Sequence, residues 1–155
     1  MATVYFDKEH SSRVTNFCED KNKTTKKSIF RTNMDFMIFA AMVGRSTKDS
    51  CKDIKISKSN KEIPDRIFTN GDKDGVPYLL ALEGEKNGEI LRDGSENELY
   101  KYIENYAFLG CQEIENWIAE RPLDDLHDIV LDKIKKAAEP LAAAEAEEKS
   151  EIDLS

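Results

Sequence analysis

The stretch from Thr32 to Gly44 constrains the fold of this chain more than any other feature of its sequence. Its apolar residues recur at helical spacing, and further apolar side chains fill the faces in between. Thr32 is suited to cap the N terminus of a helix with Asp35 three residues on, and Gly44 is suited to end it in a left-handed conformation. A helix that is apolar nearly all round belongs in the interior of a domain. The sequence therefore predicts a central, buried helix over residues 32–43.

Capping signals and apolar stripes predict further helices behind the central one. Pro77 suits the first turn of a helix, and Ser95 with Glu98 forms a capping box. Gly110 is placed to break a helix axis, and Pro122 is placed to open the last helix. The predicted ranges are 77–84, 96–109, 112–120 and 123–138, with room for a small β-hairpin within residues 54–68. The predicted fold class is mainly α, a single compact helical domain of four to five helices.

Charge is unevenly distributed along the chain. The formal net charge of -8 argues against wholesale wrapping of nucleic acid or of an anionic membrane. Residues 1–61 nevertheless hold 13 Lys and Arg against 7 Asp and Glu, whereas residues 62–155 hold 10 against 24. We therefore divide the chain into a polar, basic N-terminal arm (1–27), a helical domain (28–139) and an acidic tail expected to be disordered (140–155).

The basic residues on either side of the central helix are the candidate nucleic-acid-binding site. They are interleaved with Ser, Thr and Asn, which can donate hydrogen bonds to phosphate oxygens. Two other interpretations stay open: a solvated surface, and a surface that pairs with acidic segments of this chain or of partner proteins. The candidates are Lys21, Lys23, Lys26, Lys27, Arg31, Arg45, Lys48, Lys52, Lys55 and Lys58.

The sequence contains only part of one metal-binding motif. Asn70, Asp72, Asp74 and Gly75 match positions 1, 3, 5 and 6 of a calcium-binding EF-hand loop. Position 12 should supply a bidentate glutamate, but Ala81 stands there, so an ordinary turn is the favoured interpretation. The sequence predicts no bound metal and no cofactor.

Catalytic motifs are equally incomplete. Asp65, Glu83, Glu85 and Lys86 resemble the carboxylates and lysine of restriction nucleases, but glycine occupies the position two before the lysine. Arg121 and His127 have nearly the spacing of HEPN ribonucleases, yet Pro122 would start the helix after the arginine. No nucleophile or nucleotide-binding motif accompanies them. We therefore predict no catalytic residue.

The cellular location follows from what the sequence lacks. No apolar run approaches the roughly 18 residues that a membrane-spanning helix requires. The N-terminal residues do not combine a charged and an apolar region as a secretory signal does. Cys18, Cys51 and Cys111 are too widely spaced for a CxxC pair and too few for a disulfide framework. A soluble, cytoplasmic protein is expected.

Three apolar segments resemble those of a known bacterial family. They are residues 35–44 (DFMIFAAMVG), 78–82 (YLLAL) and 106–110 (YAFLG). In order and spacing they are similar to the Dnd system-associated protein 4 family, which is encoded beside the genes of DNA phosphorothioation (Dnd). The resemblance covers residues 30–120 and rests on packing motifs without a catalytic group. It implies a component of a DNA-modification or anti-phage defence system that acts with larger nuclease or ATPase proteins.

The sequence thus predicts a non-catalytic accessory or adaptor protein of a bacterial defence system. Its expected partners are larger proteins of that system and DNA, which would contact the basic N-terminal portion. Two alternatives remain: a small DNA-binding transcriptional regulator, which would need to dimerise, and a metal-dependent nuclease. The sequence leaves the oligomeric state open.

Overall fold

The computed structural model describes residues 2–21, 25–48, 50–51, 54–73, 75–92 and 94–153, with side chains as far as residue 140. Within these residues the fold is mainly α with one small antiparallel sheet, which confirms the predicted class. The elements are β1 (Thr3–Asp7), α1 (Ser11–Cys18), α2 (Asn33–Thr47), β2 (Lys58–Pro64), α3 (Asp65–Asn70), α4 (Gly75–Glu85), α5 (Glu96–Glu120) and α6 (Leu126–Asp153). The chain divides into two compact units, residues 1–116 and 117–155. None of the described helices is long and apolar enough to cross a membrane.

The sheet pairs two strands that are distant in the sequence. Strands β1 and β2 are antiparallel, with Val4 opposite Ile63 and Asp7 opposite Lys58. The prediction of a hairpin confined to residues 54–68 is wrong, because residues 65–70 form α3. The N-terminal segment supplies the partner strand instead, since its alternating Val4 and Phe6 can be buried while the strand pairs with β2.

An aromatic cluster brings the N-terminal segment into the core of the first unit. The ring of Phe36 on α2 lies 4.9 Å from that of Phe17 on α1, 5.5 Å from that of Phe6 on β1 and 5.3 Å from that of Phe30. The sequence predicts an extended or loosely helical arm over residues 1–27, but within it β1 and α1 are a strand and a helix of the packed unit. The division into arm, domain and tail stays a prediction.

Helices α2 and α5 cross in backbone contact at two glycines. A Cβ atom on Gly110 would lie 1.6 Å from the carbonyl oxygen of Ala40, and one on Gly44 would lie 1.9 Å from that of Tyr106. The prediction that Gly44 ends its helix is wrong, since α2 continues to Thr47. The predicted break at Gly110 is also wrong, because α5 runs without interruption from Glu96 to Glu120. Both glycines permit close helix approach.

The second unit holds the last turn of α5 and helix α6. Arg121 binds Asp124 at 2.5 Å and Asp132 at 3.0 Å, and these contacts stabilise the turn between the helices. Helix α6 begins at Leu126, three residues later than predicted, because residues 121–125 form this turn. The helix then passes through Pro140 and ends at Asp153.

Candidate functional site

Four of the predicted cations lie in the connection between α1 and α2. The backbone N–H of Phe30 donates to the carbonyl of Phe17 at 2.9 Å, which closes this connection at its base. Thr32 then caps α2 by accepting a hydrogen bond from the Asp35 N–H at 3.1 Å, as the sequence predicts. We call residues 19–32 the basic connection. Its exposed cations are Lys21, Lys26, Lys27 and Arg31, whereas Lys23 lies outside the described residues.

The two acidic residues of the basic connection have partners within the fold. Glu19 binds the ammonium of Lys61 on β2 at 2.7 Å. Asp20 accepts a hydrogen bond from the side-chain amide of Asn16 at 2.9 Å. Residues 19–32 contain five Lys and Arg against these two carboxylates, so the net charge of the basic connection is positive.

The remaining predicted cations are placed elsewhere in the first unit. Arg45 and Lys48 lie at the other end of α2, roughly 20 Å along the helix from Arg31. Lys55 is exposed, and the Lys58 ammonium lies 4.9 Å from the centre of the Tyr5 ring. Lys52 lies outside the described residues. Lys21, Lys26, Lys27 and Arg31 thus lie in the connection before α2, whereas Arg45 and Lys48 lie at the other end of that helix.

Helices α2 and α4 present exposed apolar side chains beside an ion pair. The Arg45 guanidinium on α2 binds the Glu83 carboxylate on α4. Met42, one turn before Arg45, is 52% exposed, and Leu79, one turn before Glu83, is 68% exposed. The prediction that the central helix is buried all round is therefore wrong on this side. We call this surface the α2–α4 face, comprising Met42, Arg45, Tyr78, Leu79, Leu82 and Glu83.

A groove of about 590 Å³ lies where the connection between α4 and α5 meets the first turns of α5. Glu98, Lys101, Tyr102 and Asn105 line it from one face of α5, and Cys51 also contributes to its wall. The Tyr102 hydroxyl donates to Glu85. Burial and this hydrogen bond raise the pKa of Tyr102. Sequence reasoning missed the groove, although the helical spacing of its α5 residues was a signal.

The acidic residues of the nuclease hypothesis serve other contacts. Asp65 accepts a hydrogen bond from the Ala2 N–H at 3.0 Å, Glu83 binds Arg45, and Glu85 binds Tyr102. In the described part of the chain, no group of three or more His, Cys, Asp or Glu side chains could hold a metal ion. Ala81, where an EF-hand would need a glutamate, is buried within α4, and Asp74 lies outside the described residues.

The ribonuclease fragment and the cysteines show no catalytic arrangement. Arg121 lies outside α6 and binds two aspartates. The Nδ1 atom of His127 lies 3.2 Å from a carboxylate oxygen of Asp125. Burial raises the pKa of Cys18 to about 12, and burial also raises the pKa of Cys111. A thiol with a raised pKa forms little of the thiolate that a nucleophile requires.

Comparison with known proteins identifies a family. The model of a protein family described as DNA sulphur modification system-associated protein 4 matches residues 6–154. Nothing among curated proteins or solved structures matches the chain. The family match includes the segments 35–44, 78–82 and 106–110 and extends well beyond residues 30–120, so it confirms the resemblance.

Proposed function

Because the chain belongs to the DNA sulphur modification system-associated protein 4 family, we propose that it is a non-catalytic accessory or adaptor protein of such a system. Its role is to bind larger proteins of the system, the nuclease or ATPase components, and to contact DNA. The observation that carries the proposal is the family match, which spans residues 6–154 of the 155-residue chain. The setting is a bacterial DNA-modification or anti-phage defence system, and the location is the cytoplasm, where the DNA lies.

The basic connection supports the DNA part of this proposal. Its exposed lysines and arginine can each contact a phosphate, while Glu19 and Asp20 are engaged elsewhere. The overall charge of -8 repels DNA from most of the remaining surface. Such contacts position a protein on DNA without reading its sequence. Binding is therefore expected to depend strongly on salt and weakly on sequence.

Exposed apolar residues on α6 support the protein-binding part. Leu131 is 51% exposed and Ile134 is 47% exposed, and their spacing of three places both on one side of the helix. Apolar residues that adjoin one another on a surface are typical of protein interfaces. This stripe offers a partner helix an apolar ridge in the second unit.

Co-purification tests the protein-binding role. The tagged chain is isolated from cells that contain the complete DNA sulphur modification system, and the bound proteins are identified by mass spectrometry. We expect proteins of that system to be enriched with the wild type and depleted with Leu131→Glu/Ile134→Glu. Substitution of the exposed Leu123, which is 98% exposed, by Glu is the matched control and is expected to leave recovery unchanged. If the tag alone recovers the same proteins, the adaptor role is wrong.

Two assays separate this role from its alternatives. A transcriptional regulator would prefer one DNA sequence over others by roughly 10³-fold or more, whereas we expect nearly uniform affinities. A nuclease would shorten DNA or RNA in the presence of Mg²⁺ or Mn²⁺. We expect intact nucleic acid with the chain alone, and cleavage that is lost in Asp65→Asn would establish the nuclease instead.

A further inference from the structure

The groove where the connection between α4 and α5 meets the first turns of α5 has the size of a ligand site. Its volume of about 590 Å³ lies within the range of about 300–1,000 Å³ that is typical of such sites. Its wall includes one row of α5 side chains, Glu98, Lys101, Tyr102 and Asn105, and we call it the α5 groove. From Glu98 to Asn105 the row extends roughly 10 Å along the helix, which is the length of about three residues of an extended chain.

Three polar side chains of this row are not used by the fold. Among the described residues, the side chains of Glu98, Lys101 and Asn105 form no hydrogen bond and no ion pair. Asn105 is half-buried, so part of the surrounding water is excluded from its carboxamide without a compensating hydrogen bond. The row therefore offers a ligand an amide, an ammonium group and a carboxylate, each with its hydrogen-bonding capacity free.

The ring of Tyr102 gives the α5 groove a fixed wall. Its hydroxyl donates a hydrogen bond to Glu85 on α4. A Cβ atom on Gly84, the preceding residue of α4, would lie 2.6 Å from the ring. Because α4 packs this closely against Tyr102, the wall is in place before a ligand binds, and binding needs little further ordering.

We propose that the α5 groove binds an extended peptide segment of a partner protein, with a basic side chain of that segment beside Glu98. The proposal rests on the adaptor role proposed above and gives that role a site. The Asn105 carboxamide can accept a hydrogen bond from a peptide N–H and donate one to a peptide carbonyl. The Lys101 ammonium can donate to a second carbonyl, and the Glu98 carboxylate can pair with a lysine or arginine of the segment.

Charge favours a basic peptide over nucleic acid in the α5 groove. The described lining contains the carboxylates of Glu85, Glu89 and Glu98 against the cations Arg92 and Lys101. Arg92 is already paired with Glu89 at 2.8 Å. The chain as a whole carries a net charge of -8. A phosphate backbone is therefore repelled from the groove, whereas a basic segment is attracted to it.

Peptide binding to the full-length chain tests the proposal. Overlapping synthetic peptides that cover the other proteins of a DNA sulphur modification system are screened for binding, and the dissociation constants of the binders are measured by fluorescence anisotropy. We expect a peptide that contains lysine or arginine to bind the wild type. Asn105→Ala and Glu98→Lys are each expected to raise its dissociation constant about tenfold. Glu96→Lys makes the same change of charge at an exposed residue of the same helical turn outside the groove lining, and it is expected to change the constant less than about twofold at about 0.15 M salt.

The outcomes separate the groove from the adaptor role. If co-purification recovers proteins of the system but no peptide binds the wild type, or if the folded variants bind every peptide as the wild type does, the groove proposal is overturned and the adaptor role stands. If co-purification fails as well, both are wrong. A single-stranded oligonucleotide that binds the wild type and loses affinity with Asn105→Ala would assign the groove to nucleic acid and overturn the proposal. Circular dichroism checks the fold of each variant, and Glu98→Lys, at an exposed residue, keeps the test valid if Asn105→Ala does not fold.

Discussion

The crossing of α2 with α5 differs from the basic connection before α2 in how tightly its residues are packed. At the crossing, Gly110 and Gly44 meet the backbone of the facing helix, so no side-chain atom can be added. In the basic connection, Lys26, Lys27 and Arg31 are exposed and lie outside every described helix and strand. Only Thr32 separates Arg31 from the start of α2. Even so, we expect that Arg31 can be substituted without loss of stability, because its side chain is exposed. We therefore expect substitutions at the crossing to lower the free energy of unfolding. Substitutions in the basic connection are expected to change the affinity for DNA alone.

The substitution Gly110→Ala is expected to break the crossing and to have the largest effect. Its Cβ would lie 1.6 Å from the carbonyl oxygen of Ala40, and a backbone atom cannot move aside as a side chain can. We expect the free energy of unfolding to fall by about 3 kcal/mol, although helix propensity alone would raise it by roughly 1 kcal/mol.

Urea denaturation measures this effect, with Gly75→Ala as the matched control. Gly75 opens α4, and a Cβ atom there would have no heavy atom within 4 Å. This control substitution is therefore expected to change stability by less than about 1 kcal/mol. Equal effects of the two substitutions would contradict backbone contact at the crossing.

The buried His10 makes the stability of the first unit depend on pH. It is 2% exposed, its ring lies 5.1 Å from that of Phe108, and its Nδ1 atom has no hydrogen-bond partner among the described residues. Burial lowers the pKa of His10, although the nearby carboxylates of Glu9, Asp7 and Glu115 act in the opposite direction.

The sign of the pH effect follows from that lowered pKa. Below the ordinary histidine pKa of about 6.5, the unfolded chain binds a proton that folded His10 does not bind, so stability falls as the pH is lowered. We expect this residue to contribute a slope of up to about 1.4 kcal/mol per pH unit between pH 6.5 and its folded pKa. Urea denaturation of the wild type and His10→Phe at a series of pH values isolates the contribution. Identical slopes in the two proteins would show that His10 does not cause it.

A smaller difference is expected between two lysines beside the sheet. Lys58 lies over the Tyr5 ring at 4.9 Å, whereas Lys55 is exposed in the segment before β2. Lys58→Met is expected to cost about 0.5–1 kcal/mol through the lost cation–π contact, and Lys55→Met less than that. Thermal unfolding of the two variants side by side checks the difference, and a larger loss for Lys55→Met would contradict it.

Local signals make much of the fold predictable. Thr32 caps α2 and Pro77 lies in the first turn of α4, because capping and proline geometry depend only on neighbouring residues. The same local rules fail at Gly44 and Gly110, because they place glycine at helix ends, whereas these two serve a contact with a distant helix. The pairing of β1 with β2 and the burial of the N-terminal segment likewise depend on residues far apart in the sequence.

The sequence predicts which residues of the candidate site are cations, but not which ion pairs form around them. The sequence indicates which residues are cations, but Lys61 neutralises Glu19 across 42 positions and Arg45 binds Glu83 across 38. The sequence already places Lys21, Lys26, Lys27 and Arg31 before the central helix, but not the ends of the connection that contains them. The exposure of Met42 escapes prediction because this residue continues an apolar pattern of which Met37 and Ala41 are buried.

DNA binding by a charge-reversed basic connection tests the central claim most directly. The affinity of the wild type and of Lys26→Glu/Lys27→Glu/Arg31→Glu for duplex DNA is measured at several salt concentrations. Lys86→Glu/Lys101→Glu/Lys135→Glu carries the same change of charge at exposed lysines outside the connection.

We expect wild-type affinity to fall steeply with salt, and the first variant to reduce the log–log slope by about 2.7, or roughly 0.9 for each lost phosphate contact. Its stability is expected to change by less than about 0.5 kcal/mol, as for other exposed sites. The second variant is expected to retain most of the wild-type slope. Equal losses in both variants, or a wild type that does not bind DNA at low salt, would contradict DNA recognition by the basic connection.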